Sequence, residues 1–144
     1  MGADYTAYVE DLVHEPTQTD GRGLDLTVAD VQEVTEPGRV DFGGGELEPA
    51  ETAPHPSSTR DPDDDYEWWD LSAGQYLLTY NETVAAPADV ALVVQVRDAV
   101  RERGAFHPTL RVADLGRVPL AVGGAGLRLK ENARVSTVVG VERP

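Results

Sequence analysis

The chain has 144 residues, the size of one ordinary domain that can bury a core without metal or disulfide staples. It contains no cysteine, which excludes disulfide scaffolds, cysteine-ligated metal sites and thiol catalysis. Twenty-six Asp and Glu against twelve Lys and Arg give a formal charge of -14, and Lys130 is the single lysine.

In dilute buffer such a chain repels itself. Molar salt shortens the Debye length to about 3 Å, so the repulsion is screened while the carboxylates keep the surface hydrated. The composition therefore suits a halophile, and 40% apolar content with regular β-type segments argues against an acidic disordered tail. No run approaches the roughly 20 apolar residues of a membrane span, and the acidic N-terminal segment is unlike a signal peptide. A cytoplasmic protein with no membrane partner is expected. The negative charge also opposes phosphate backbones, so no nucleic-acid partner is expected, although a single nucleotide is a different matter.

Along the chain, residues 4–13 fit either a short amphipathic helix or an extended arm. A polar turn at 15–23 precedes LDLTVADVQEV (24–34), which alternates apolar and polar residues at period two, as a half-buried strand should. Glu36-Pro37-Gly38 reads as a turn, 39–42 as a brief strand, and Gly43-Gly44-Gly45 as a break. From about 46 to 67 the composition shifts to proline, serine and acid, which reads as a surface excursion of one domain spanning 1–144. The second half is more regular, with strands expected in WWDLSAG, QYLLTYNETV and DVALVVQV, the last suited to burial on both faces. Residues 98–103 suit one helical turn ended by Gly104. RVPLAV (117–122), LRLK (127–130) and ARVSTVVGVE (133–142) close the chain as strands, with a glycine turn at 123–126. No repeat of fixed period is present. The expectation is an all-β, barrel-like or jelly-roll-like domain.

Few motifs are specific alone. The glycine clusters lack the spacing and the Lys-Ser/Thr of a phosphate loop and read as turns. Asp61, Asp63, Asp64, Asp65 and Glu67 could hold a hard cation, but they lack the glycine and distal glutamate of a calcium loop and read as a solvated acidic surface. His14, His55 and His107 show no paired ligand spacing.

An ordered series of partial matches carries more. QTDGRGLDLTV (18–28) resembles, as a partial match, the Gln-x-x-x-Gly-x-Asp-Leu opening motif of the dUTPase and dCTP deaminase superfamily, especially its archaeal branch. GQYLLTYNETVAAP (74–87), with Thr79, Glu82 and Pro87, resembles the family's strand and following turn. VQVRDAVRERG (94–104) stands where the family carries its phosphate-binding Arg-Ser-Ser-Leu-x-x-x-Gly motif, retaining Arg97 and Gly104 but replacing both serines by Asp98 and Ala99. RVADLG (111–116) stands at the family's central aspartate, and ENARVSTVV (131–139) resembles its late Gly-x-Arg-x-x-Gln strand, with Arg134 retained and Thr137 in place of glutamine.

The resemblance implies a β-clip or distorted jelly-roll subunit, a homotrimer with nucleotide sites at subunit boundaries, and hydrolysis of dUTP to dUMP and pyrophosphate with Mg2+. Carried over, Asp114 is the water-activating base, Arg97 contacts phosphate, and Asp25 is an outer-shell partner of magnesium. Gly104 and Gly116 flank the substrate, and Arg134 supports the site. Leu115-Gly116-Arg117 stands where the family has an aromatic against the deoxyribose, and RVPLAV lacks the glutamate that deamination needs. A non-catalytic β-clip homologue, binding nucleotide or serving as a structural trimer subunit, is the alternative.

Overall fold

The computed structural model describes residues 5–143. A 3-10 turn (Tyr5–Ala7) leads into β1 (Val9–Glu10), α1 (Glu15–Gln18), β2 (Leu24–Glu36), β3 (Glu51–Pro54), β4 (Trp68–Leu71), β5 (Gly74–Tyr80) and β6 (Thr83–Val84). β7 (Ala91–Val96), α2 (Asp98–Arg101), β8 (Ala105–Phe106), β9 (Leu110–Val112), β10 (Val118–Val122), β11 (Leu127–Lys130) and β12 (Arg134–Glu142) complete the chain. The period-two reading of the sequence is met by an almost wholly β domain.

Seven strands run in the order β8-β10-β5-β2-β12-β7-β9, and β3 pairs with β2 off this path. β2 is long enough to serve two neighbours on one side. Its first half pairs antiparallel with β12, while its second half pairs with β3, and β5 runs along its other edge. β4 and β11 form a separate antiparallel pair, as do β1 and β6. Alternation decides what is buried: Leu24, Leu26 and Val28 lie at 1%, 0% and 0% exposure on the core face of β2. They meet Leu78 of β5, Leu92 and Val94 of β7, Leu120 of β10 and Val135 and Val138 of β12 in one cluster. Each such side chain contributes about 1.5–3 kcal/mol through removal from water.

Several local expectations are redrawn. Of residues 4–13, Asp4 lies outside the described residues, and the remainder forms the 3-10 turn and the two residues of β1 rather than an amphipathic helix. The polar turn at 15–23 begins as the four-residue α1, with Pro16 in its first turn, where its missing N–H costs nothing. The brief strand expected at 39–42 reduces to one bridge between Arg39 and Glu48, and Val40 and Phe42 are exposed. The excursion at 46–67 contains a strand after all, because the second half of β2 offers a free edge that β3 takes. β7 buries Leu92 and Val94 but only half-covers Val93 and Gln95.

Two polar networks are sealed inside. The Glu82 carboxylate accepts from Gln18 Nε2 at 2.9 Å, from the Thr27 backbone N–H at 2.8 Å and from Thr27 Oγ1 at 2.5 Å. Gln18 Nε2 also donates to the Asp25 carbonyl at 2.9 Å, so α1 is tied to β2 and to the turn after β5. The second network lies in the core. His107 Nδ1 sits 2.7 Å from the Pro108 carbonyl, which can only accept, so that nitrogen carries the proton. Nε2 therefore accepts from Ser136 Oγ at 2.7 Å, and Tyr80 donates its hydroxyl hydrogen to Ser136. Burial pushes His107 below its ordinary value against the pull of the Pro108 carbonyl, and burial also raises Tyr80.

A histidine whose folded pKa is depressed gives stability that is complete above the unfolded value of about 6.5 and lost as pH falls through and below it. The native chain should therefore lose melting temperature between pH 7.5 and 5.5, above the range where surface carboxylates titrate, and His107→Asn should flatten that slope; equal slopes would remove His107 as the cause. Glu82→Ala removes the acceptor of three buried hydrogen bonds and should cost about 3 kcal/mol in urea unfolding at neutral pH. A loss below about 0.5 kcal/mol would show that the carboxylate does not anchor α1.

Candidate functional site

The register between β2 and β12 assembles the site. Thr137 stands opposite Asp25 and Arg134 opposite Thr27. Residues three apart on a regular strand point to opposite faces. A bulge between Arg134 and Ser136 supplies the extra residue that returns both side chains to the Asp25 face. β7 pairs with the other edge of β12, so Arg97 follows directly at the end of β7, with its N–H on the Val135 carbonyl at 2.8 Å. Gly23 is required here: a Cβ at that position would stand 2.0 Å from the Val138 carbonyl and push the start of β2 away from β12.

The Asp25 side chain is 6% exposed and is held on all sides. Its Oδ1 accepts from Thr137 Oγ1 at 2.5 Å. Its Oδ2 accepts from Arg134 Nη1 at 3.0 Å and lies 3.5 Å from Arg97 Nε. Arg134 Nη1 also reaches Asp20 at 3.2 Å and the Thr17 carbonyl at 3.1 Å, and Arg97 Nη1 donates to the Arg134 carbonyl at 3.2 Å. A carboxylate this buried is tolerable because two guanidinium groups and a hydroxyl replace its lost hydration.

Beside this cluster opens a cleft of about 200 Å³ lined by Gly21, Arg22, Asp25, Arg97, Asp98, Ala99 and Thr137. Three arginines therefore gather around or beneath one depression on a chain of formal charge -14. Such a depression can take a phosphate group, which arginine meets with paired donors. As a metal cage the cleft is poor. Both Asp25 oxygens already have partners, and among the described residues no group of three His, Asp or Glu has the arrangement to hold an ion.

Sequence reasoning placed six residues in one site, and a single chain brings three of them together: Asp25, Arg97 and Arg134. Gly104 closes the turn that follows α2, with φ +91°, and gives its carbonyl to the Gly123 N–H at 2.9 Å, outside the lining of the arginine cleft. Asp114 is exposed and bridges Ala85, beside β6, and it too lies outside that lining. Gly116 lines a second depression of about 300 Å³ with Thr79, Tyr80, Glu82, Thr83, Leu115 and Arg117. Gln18 joins the walls of the two depressions, since its side chain bonds both Asp25 and Glu82. Arg22 on the rim was not singled out from the sequence; its place inside the first motif, between Gln18 and Asp25, was the available signal.

No protein-family model matches the chain. It is 31% identical over 133 residues to a protein of Methanosarcina acetivorans named "Probable deoxyuridine 5'-triphosphate nucleotidohydrolase", covering 88% of this chain and 74% of that relative. A protein of the same name from Methanosarcina mazei is 28% identical over the same coverage. The fold is similar to that of the 2'-deoxycytidine 5'-triphosphate deaminase from Agrobacterium tumefaciens, with a TM-score of 0.55 at 12% identity. That likeness covers 94% of this chain and 43% of the deaminase chain, so the present chain spans less than half of it. At this identity it speaks for the fold alone, which is the dUTPase-like β-clip. With the motif order, the curled antiparallel sheet and the relatives in agreement, the chain belongs to the dUTPase and dCTP deaminase superfamily.

Proposed function

We propose that the chain is a dUTP nucleotidohydrolase, acting as a homotrimer on a deoxyuridine nucleotide in a high-salt cytoplasm. The observation that carries this reading is the arginine cleft at the Asp25 cluster: it offers fixed cations to a triphosphate on an otherwise acidic protein. In the reaction a water oxygen bonds to the α-phosphorus, the bond from that phosphorus to the bridging oxygen breaks, and dUMP and pyrophosphate leave. Asp114 takes the water proton as general base. Arg97 meets the negative charge that develops on the phosphoryl oxygens, and the buried Asp25 holds Arg97 and Arg134 in place for it. Magnesium bound with the nucleotide would neutralise phosphate charge, with Asp25 as an outer-shell partner, because both Asp25 oxygens already accept hydrogen bonds from the protein.

Asp114 lies outside the arginine cleft of its own chain. The hydrolase reading therefore needs the Asp114 of a neighbouring copy to face the cleft, as the sites at subunit boundaries implied by the resemblance would arrange. The second reading, a binding or structural homologue without turnover, is favoured by one observation: Asp98 and Ala99 offer no hydroxyl donor at the cleft where the family motif has two serines.

Pyrophosphate release from dUTP, dCTP and dTTP, measured with magnesium in molar KCl, separates the two. The expected result is turnover of dUTP that Asp114→Asn lowers by about 10²–10⁴-fold, the usual contribution of a general base. Folded native protein that turns over none of the three belongs to the second reading.

A further inference from the structure

Within the phosphate cleft the cations are not equally available. Arg97 is committed through Nε to Asp25 and through Nη1 to the Arg134 carbonyl, and Arg134 is committed to Asp25, Asp20 and the Thr17 carbonyl. Both side chains are about three-quarters covered, at 27% and 28% exposure. Arg22 differs on every count. It lines the same cleft, its side chain is 68% exposed, and its one ion-pair partner among the described residues is Asp98 at 4.0 Å. Asp98 is itself 55% exposed and holds Arg101 more closely, at 3.1 Å. A pair so long and so exposed contributes next to nothing and exchanges readily for a better anion.

Resting on the reading of this cleft as the phosphate site, we infer that Arg22 is a substrate-binding residue, the cation that leaves Asp98 to grasp a phosphate oxyanion. Its donors replace those that the Asp98-Ala99 pair does not supply, and its charge offsets the repulsion between Asp98 and the incoming phosphates. Asp98 then acts as a tether that keeps Arg22 at the rim of the empty cleft and competes with the ligand. Gly21, before it, stands in open space, and Gly23, after it, packs against the Val138 carbonyl. The residue thus projects from a turn whose far end is anchored in the sheet.

Titration calorimetry with inorganic tripolyphosphate and, separately, with dUTP tests this on the full chain at one fixed KCl concentration. Arg22→Ala should weaken both ligands by about tenfold or more, the worth of a charge-assisted contact, while leaving the melting temperature unchanged. Arg22→Lys should restore part of the loss, and Asp98→Asn should tighten binding. If Arg22→Ala binds dUTP as the native chain does, Arg22 is not a ligand-binding residue, and the hydrolase reading is untouched. Tripolyphosphate binding that depends on Arg22, in a chain that does not bind dUTP, would keep the assignment and overturn the nucleotide. A native chain that binds neither ligand overturns both.

Discussion

The pairing of the first half of β2 with β12 is the constraint from which the rest of the molecule follows. It places Thr137 opposite Asp25 and, through one bulge, Arg134 opposite Thr27. The far edge of β12 then recruits β7 and ends it where Arg97 must turn toward the same carboxylate. On the other face of the same residues Leu24, Leu26 and Val28 form the centre of the core. A slip of one residue would exchange the two faces, burying Asp25 among leucines and turning the core outward. Packing and site geometry are therefore set by the same hydrogen-bond ladder, and the lack of a side chain at Gly23 lets β12 approach closely enough for that ladder to form.

Electrostatics adds a second layer. Twenty-six acidic residues against twelve basic ones make a surface that repels anions, yet the cleft beside Asp25 gathers arginines. Burying Asp25 is what makes this stable. The carboxylate neutralises Arg97 and Arg134 from beneath, so they are held together without mutual repulsion, and their positions do not depend on solvent-exposed contacts that salt would screen. Arg22 and Asp98 form the opposite kind of pair, long and exposed, and therefore free to respond to a ligand. One cleft thus combines a rigid floor with an adjustable rim.

The polar interior is arranged with the same care for satisfaction. Among the described residues no buried side-chain nitrogen or oxygen lacks a hydrogen-bond partner. Gln18 carries much of this: it accepts from the His14 N–H and donates to both the Asp25 carbonyl and Glu82, so the short α1 is locked to the strand that bears the site. Through Glu82 the same side chain touches the wall of the second depression, where Leu115 and Gly116 lie next to Asp114. Asp114 itself lines neither depression. Within one chain the phosphate contacts and the base of the proposed hydrolase remain apart, which makes assembly part of the proposed chemistry.

Read by itself, the sequence determined the fold class, because period-two alternation in 24–34, followed by short apolar segments separated by Gly and Pro turns, suits a half-buried antiparallel sheet. It also determined the family, since five weak motifs in order keep the spacing that a shared fold imposes. Asp25, Arg97 and Arg134 were legible as a group for that reason, though they lie up to 109 positions apart. Tertiary structure decided the rest. The strand inside the excursion at 46–67 forms because β2 has an unpaired edge, a non-local fact that the local proline and acid content hides. Burial of His107 with Ser136 and Tyr80, and of Glu82 with Gln18 and Thr27, depends on contacts across many residues that no short window contains. The separation of Asp114 from the arginine cleft, and the exposure that distinguishes Arg22 from Arg97, are properties of how strands cross and which guanidinium groups find partners. Residue type and spacing are silent on both, because availability to a ligand is what remains after the fold has taken its own hydrogen bonds.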